Sequence, residues 1–71
     1  MDEKKTRLMK LIEHWAEHND EHALRFRDSS AEAEEMGLKI VSEELKEAYS
    51  EAIIVSEHLR KALEEIKEGE E

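Results

Sequence analysis

The sequence predicts an all-α fold, a long antiparallel helical hairpin with helices near residues 2–36 and 39–68. Charged residues make up 44% of the 71 positions and proline is absent, which is a helix-forming composition. Apolar residues recur at alternating spacings of three and four, the period of a helix that packs along another helix. We therefore expect a single helical-hairpin domain, 1–71, in which 67–71 forms a solvated acidic tail.

The first helix is predicted by an apolar stripe that polar residues interrupt. Its members follow the helical period from the first turns to the end of the helix: Leu8, Leu11 or Ile12, Trp15, His22, Phe26, Ala33 and Met36. At about 1.5 Å per residue, a helix over 2–36 is roughly 50 Å long.

The turn is predicted at Gly37, the one internal helix breaker, because the second glycine lies in the acidic tail. A glycine can adopt the left-handed conformation that closes a helix, with Leu38 folding back onto the last turn. Ser29-Ser30 is the rival break, since Ser30 could cap a new helix. Gly37 is favoured because 31–36 is strongly helix-forming and the apolar stripe runs through the serines.

The second helix has the stronger signal, since nine consecutive seam positions are apolar. They are Leu38, Val41, Leu45, Ala48, Ala52, Val55, Leu59, Ala62 and Ile66. This pattern is typical of a helix packed along an antiparallel neighbour.

Further apolar residues lie off both stripes and predict self-association. They are Met9, Leu24, Ile40, Tyr49, Ile53 and Ile54. A two-helix hairpin usually covers such residues by packing against another copy, and two hairpins make an antiparallel four-helix bundle. The expected partner is therefore a second copy of the chain, in a homodimer or higher oligomer.

Composition argues against several classes of function. The net charge of −9, with basic residues interleaved among acidic ones, disfavours nucleic acid and anionic membrane surfaces. The longest apolar run, 52–55, is too short to span a bilayer, and the first ten residues lack the apolar core of a signal peptide. The expected location is the cytoplasm. Without cysteine, no disulfide or thiolate metal site can form.

Three of the four histidines fall in the stretch HWAEHNDEH, residues 14–22. Histidines at i and i+4 project from one helix face a turn apart and can share a metal ion, and two such pairs overlap here. The predicted register of the hairpin places His58 level with 14–17, beside the other three. The candidate metal ligands are His14, His18, His22 and His58, helped by Glu17 or Glu21.

Imidazole and carboxylate ligands without sulfur suit a divalent transition metal, with Zn, Ni, Fe or Cu as candidates. The stretch also contains the H-x-x-E-H protease motif twice, but a 71-residue hairpin offers no walls for a substrate cleft. We therefore predict a non-enzymatic role in metal storage, delivery or sensing.

The competing interpretation is structural. His22, which falls on the apolar stripe, could pair with Asn19 as a buried polar layer that fixes register and partner number. The chain would then be an interaction module whose histidines form a polar or pH-sensitive seam of an oligomeric helical bundle.

The stretch resembles small uncharacterised all-helical proteins of archaea and anaerobic bacteria. In those proteins the first helix carries an H-W-x-x-H-N-x-x-H-like pattern, matched here from His14 to His22. The E-x-x-G-L turn at 34–38 and the acidic, Leu- and Ala-rich second helix fit the same resemblance. The resemblance implies a metal-handling or accessory role and assigns no ligands.

Overall fold

The structure, a computed structural model that describes residues 2–69, is a hairpin of two antiparallel helices. Helix α1 spans Glu3–Glu35 and helix α2 spans Lys39–Glu68, so the predicted all-α hairpin is confirmed. Helix α1 begins where the Asp2 side chain accepts a 3.0 Å hydrogen bond from the Lys4 backbone N–H, and this bond satisfies one of the free donors of the first turn. No helix within 2–69 is long and apolar enough to cross a membrane.

The turn is at Gly37, as predicted. Gly37 has a φ of +79°, a backbone conformation that only glycine adopts without strain. The backbone N–H of Leu38 donates to the Ala33 carbonyl at 2.9 Å, and that of Gly37 donates to the Glu34 carbonyl at 3.0 Å. This pair of bonds is the Schellman motif, which gives hydrogen-bond donors to carbonyl groups that would otherwise be free at the end of a helix. The rival break at Ser29-Ser30 is wrong, because α1 continues without interruption through both serines to Glu35 and Ser30 is buried against α2.

Helix α2 ends one residue before Gly69, which has a φ of +74° and donates its N–H to the Ile66 carbonyl. The first part of the predicted tail, 67–68, is therefore helical. Residues 70–71 of that tail lie outside the described residues.

The seam between the two helices consists mainly of small side chains. Its buried members are Ile12, Ala16, Ala23, Ser30 and Ala33 on α1, and Ser42, Ala52 and Ser56 on α2. The Ser42 hydroxyl donates to the Ser30 carbonyl of the other helix at 2.8 Å. Because a serine side chain is short, the two backbones must approach each other closely at this point.

The predicted stripes are therefore only partly correct as the hairpin seam. Ile12, Ala33 and Ala52 are buried as expected, but large members of both stripes are exposed: Leu8, Trp15, Met36, Leu38, Val41 and Val55. The seam is rotated toward the small residues, because alanine and serine allow the helices to pack more closely than valine, leucine or tryptophan. The larger side chains are left beside the seam.

The hairpin is a slab one helix thick, with Cα extents of 55 × 16 × 11 Å. Its two broad faces differ in chemistry. The face that we call the apolar face carries two shallow grooves, which are lined in part by Leu8, Ile12, Ala62 and Ile66 and by Trp15, Val55 and Leu59. The opposite face, the polar face, carries a groove lined mostly by charged residues, among them Glu13, Glu17, Arg60, Glu64 and Lys67.

Candidate functional site

The three clustered histidines lie on successive turns of α1 and are all exposed. The rings of His14 and His18 are stacked with centroids 5.9 Å apart, and the rings of His18 and His22 meet edge to face at 4.6 Å. The expectation that His22 lies in the core is wrong for the hairpin. The positions that face α2 are instead Asn19 and Ala23, so His22 lies at the margin of the seam beside Phe26.

The closest contact in the cluster joins the two Nε2 atoms of His18 and His22, which are 3.1 Å apart. Two nitrogens at this distance either share a proton in an N–H···N hydrogen bond or direct both lone pairs at one cation. Two metal–nitrogen bonds of 2.0–2.1 Å at a tetrahedral angle place the nitrogens roughly 3.3–3.4 Å apart. The pair is therefore close to the spacing of two ligands on one metal ion.

Glu21 extends this pair on the other side of the His18 ring, because its Oε1 lies 3.8 Å from His18 Nδ1. Carboxylates near the outer nitrogen of a metal-binding histidine orient the ring and make it a stronger ligand. Glu17 is placed differently, since it lines the groove of the polar face with Arg60.

His58 is exposed on α2 and is absent from the groove that His18 and His22 line. Within residues 2–69, no group of three or more His, Asp or Glu side chains is arranged to hold a metal ion. Of the six predicted ligands, one chain thus brings together His18 and His22, with Glu21 beside them.

A partly buried polar network joins the two helices at Asn19. The Nδ2 of Asn19 donates to the Ala52 carbonyl at 2.6 Å and to the Ser56 hydroxyl at 2.9 Å. The Ser56 hydroxyl donates in turn to Asp20 Oδ1 at 2.6 Å, and Arg60 Nη2 donates to Asp20 Oδ2 at 2.6 Å. The hydrogen bond from Arg60, and then that from Ser56, lowers the pKa of Asp20 below its usual 3.8.

This network fixes the register of the two helices, because a shift of one residue would break all of its cross-helix bonds. Sequence reasoning singled out Asn19 as part of a polar layer but missed Ser56, Asp20 and Arg60. The available signal was the fourteen-residue spacing of Ser42 and Ser56, two heptads, beside the apolar seam, which marks a second, more polar helix face.

The histidine pair lies at the rim of the apolar face. Trp15, His18, Asn19 and His22 from α1 and Val55 and Leu59 from α2 line one groove of about 340 Å³. Trp15 and Val55 are each 47% exposed there. Potential metal ligands and apolar surface are therefore adjacent.

Comparison with known proteins gives a family and no activity. No curated protein and no solved structure matches the chain. A sequence model of one family matches residues 8–66, which include α2 up to Ile66, the turn and most of α1. The chain therefore belongs to the family described as a domain of unknown function (DUF8180).

Proposed function

We propose that the chain is a non-enzymatic self-association module in which two copies pack their apolar faces together into an antiparallel four-helix bundle. The observation that carries this proposal is the distribution of side-chain size. Small residues fill the hairpin's own seam, whereas Leu8, Trp15 and Val55 remain 45–47% exposed on one face. An apolar face of this kind marks an interaction surface.

The exposed area supports the same proposal. The hairpin has an accessible surface of 5698 Å², whereas a compact monomer of 8.3 kDa is expected to have about 4,600 Å². The radius of gyration is 16.1 Å, against about 11 Å for a compact chain of 71 residues. Burying the excess of about 1,100 Å² on each copy would give an interface in the range of obligate homodimers.

A second copy fits the apolar face because the face is complementary to itself. Helix α1 presents large side chains seven residues apart, Leu8 and Trp15, whereas the corresponding positions of α2 carry Ala48, Val55 and Ala62. A twofold axis parallel to the helices sets α1 of one copy beside α2 of the other, so that Leu8 and Trp15 meet side chains smaller than their own.

Charge supports this arrangement as well. Arg25 on α1 and Glu51 on α2 flank the apolar face, and neither forms an ion pair within residues 2–69 of the hairpin. With the twofold axis parallel to the helices, Arg25 of each copy comes level with the partner's Glu51 to within about one turn. The charged groove of the polar face remains in solvent.

A matched pair of leucine variants tests the proposal. Leu8 lines the apolar face and is 45% exposed, whereas Leu24 is 47% exposed and lies one turn beyond Asp20, away from that face. We expect Leu8→Asp to dissociate the dimer and Leu24→Asp to leave it intact, as measured by light scattering at micromolar concentration. Equal masses for the two variants would contradict the proposal.

We also propose that the chain binds a divalent transition metal, with Zn, Ni, Fe and Cu as candidates. The observation that favours this second function is the 3.1 Å separation of the His18 and His22 Nε2 atoms, with Glu21 behind the His18 ring. Equilibrium dialysis of chelator-treated protein against Zn²⁺ tests it. We expect His18→Ala to lower zinc binding, and equal binding by wild type and variant would contradict the proposal.

A further inference from the structure

We propose that the metal site lies between two copies of the chain, with His18 and His22 from one copy and His58 from the partner subunit as its ligands. This inference rests on the proposed self-association. It yields two equivalent sites in each dimer, one on each flank of the bundle.

One chain supplies only half of such a site. The Nε2 atoms of His18 and His22 are 3.1 Å apart, close to the spacing of two ligands of one ion, and Oε1 of Glu21 lies 3.8 Å from Nδ1 of His18. No third His, Asp or Glu completes the set within residues 2–69. Two protein ligands fall short of the three or four that hold zinc in proteins, so a further ligand has to come from another molecule.

His58 occupies the matching position on α2. It follows Val55 by three residues, as His18 follows Trp15, and both Val55 and Trp15 line the same groove of the apolar face. Each histidine is therefore rotated by the same angle, about 300° along its helix, from a residue of that face. When two apolar faces pair, both histidines lie on the flank of the new interface.

The positions of His18 and His58 along the helix axes agree as well. Cross-helix bonds join Asn19 to Ser56 and Ser30 to Ser42, which places position 18 about level with position 56. A twofold axis parallel to the helices preserves these levels. His18 and the partner's His58 then differ by about two residues, or roughly 3 Å, in height. Neighbouring helix axes 8–10 Å apart leave both imidazoles within reach of one ion.

The chemistry of the proposed ligands indicates which metal ions the site would bind. Three neutral imidazoles with a carboxylate beside one of them suit Zn²⁺, Ni²⁺ or Cu²⁺ and offer no sulfur to a soft ion. His14 lies outside the proposed ligand set because it is one turn before His18 and is rotated away from the apolar face, although its ring stacks on that of His18 with centroids 5.9 Å apart. It is therefore a matched control on the same helix.

Complementation between two defective variants tests the inference. One variant carries His18→Ala and His22→Ala, and the other carries His58→Ala. Loss of a residue that only orients a ligand costs about 10–100-fold in metal affinity, so we expect each variant to bind Zn²⁺ at least tenfold more weakly than wild type in calorimetric titration. The His14→Ala variant should bind like wild type.

An equimolar mixture of the two variants, equilibrated before titration, should recover tight binding. Mixed dimers contain one intact site, with His18 and His22 from one chain and His58 from the other. If mixing is random, half of the dimers are mixed, and one tight zinc site appears for every four chains. Homodimers of either variant contribute none.

Three outcomes would overturn the inference. In the first, the mixture binds no better than the separate variants, which excludes a site shared between chains. In the second, His58→Ala binds like wild type, which removes His58 from the site. In the third, sedimentation shows dimers that bind no Zn²⁺, in which case self-association stands and the shared site fails. A wild-type chain that sediments as a monomer refutes the self-association itself.

Discussion

Replacing Trp15 with alanine should weaken self-association by about a thousandfold. Trp15 is 47% exposed in the single hairpin and lines the groove of the apolar face. Since an aromatic side chain buries 150–250 Å², the dimer would cover roughly 70–120 Å² of each Trp15. At about 25 cal/mol per Å², this burial stabilises the dimer by roughly 2–3 kcal/mol per copy.

Both copies lose the indole, so the full change is about 4 kcal/mol or more, which is a factor of roughly 10³ in the dissociation constant. Sedimentation equilibrium over a range of concentrations measures that constant directly. Leu24→Ala is the control, because Leu24 is equally exposed but lies outside the apolar face, and we expect it to change the constant only slightly.

A Trp15→Ala dimer whose dissociation constant stays within about tenfold of wild type would refute the assignment of the apolar face. Because half of the Trp15 surface packs on its own hairpin, the variant could also lose helix content. Val55→Asp tests the same interface independently from α2, since Val55 is 47% exposed in the same groove. It should dissociate the dimer through the buried charge alone.

Three further predictions concern the hairpin itself. Gly37→Ala should lower the free energy of unfolding by about 1–2 kcal/mol in thermal melts, since an L-residue is strained at a φ of +79°; an unchanged melt would contradict the left-handed turn. Ser42→Leu should lower the free energy of unfolding by about 1–3 kcal/mol or more, because Ser42 is fully buried. Ser50→Leu, at an exposed position, should lower it only slightly. Equal losses of stability in the two variants would refute the close packing of the seam. Arg60 lowers the pKa of Asp20 below 3.8, so the resulting stability is fully present above pH 3.8 and is lost as pH falls through the lowered pKa. Asp20→Asn should therefore flatten the acid side of the stability curve, measured by urea unfolding with a chelator present, and an identical curve would contradict the role of this pair.

Helix positions and the turn could be predicted from the sequence because they depend on local chemistry. Gly37 is the one internal residue that adopts the left-handed conformation without strain, and the Schellman bonds follow from it. Helix α2 begins and ends at the predicted residues, and α1 differs by one residue at each end. Composition and period suffice for this level of structure.

The seam was harder to predict because α2 carries two overlapping heptad patterns. Leu45, Ala52 and Leu59 belong to both, but one pattern adds Val41 and Val55 whereas the other adds serines. Hydrophobicity alone favours the valines. The hairpin uses the serines, because their hydroxyls find acceptors across the seam and their small size allows close packing.

The histidine cluster was likewise predicted correctly within one helix but not in its relation to the other helix. The i, i+4 spacing correctly brought His18 and His22 together, because that spacing is a property of one helix. Whether His22 lies in the core depended on the rotation of α1 about its axis, which Asn19 and the small residues decide. His58, in contrast, is exposed on α2 and does not line the groove of His18 and His22, because its position depends on the rotation of α2 about its own axis as well.

The most direct test of self-association through the apolar face is the solution mass of the unmodified chain. Sedimentation equilibrium at micromolar concentration, with a chelator and then with Zn²⁺, should give twice the chain mass of 8.3 kDa in both conditions. Zinc should lower the dissociation constant, because a site shared by two copies binds only the dimer. A mass of 8.3 kDa throughout would contradict the proposed bundle.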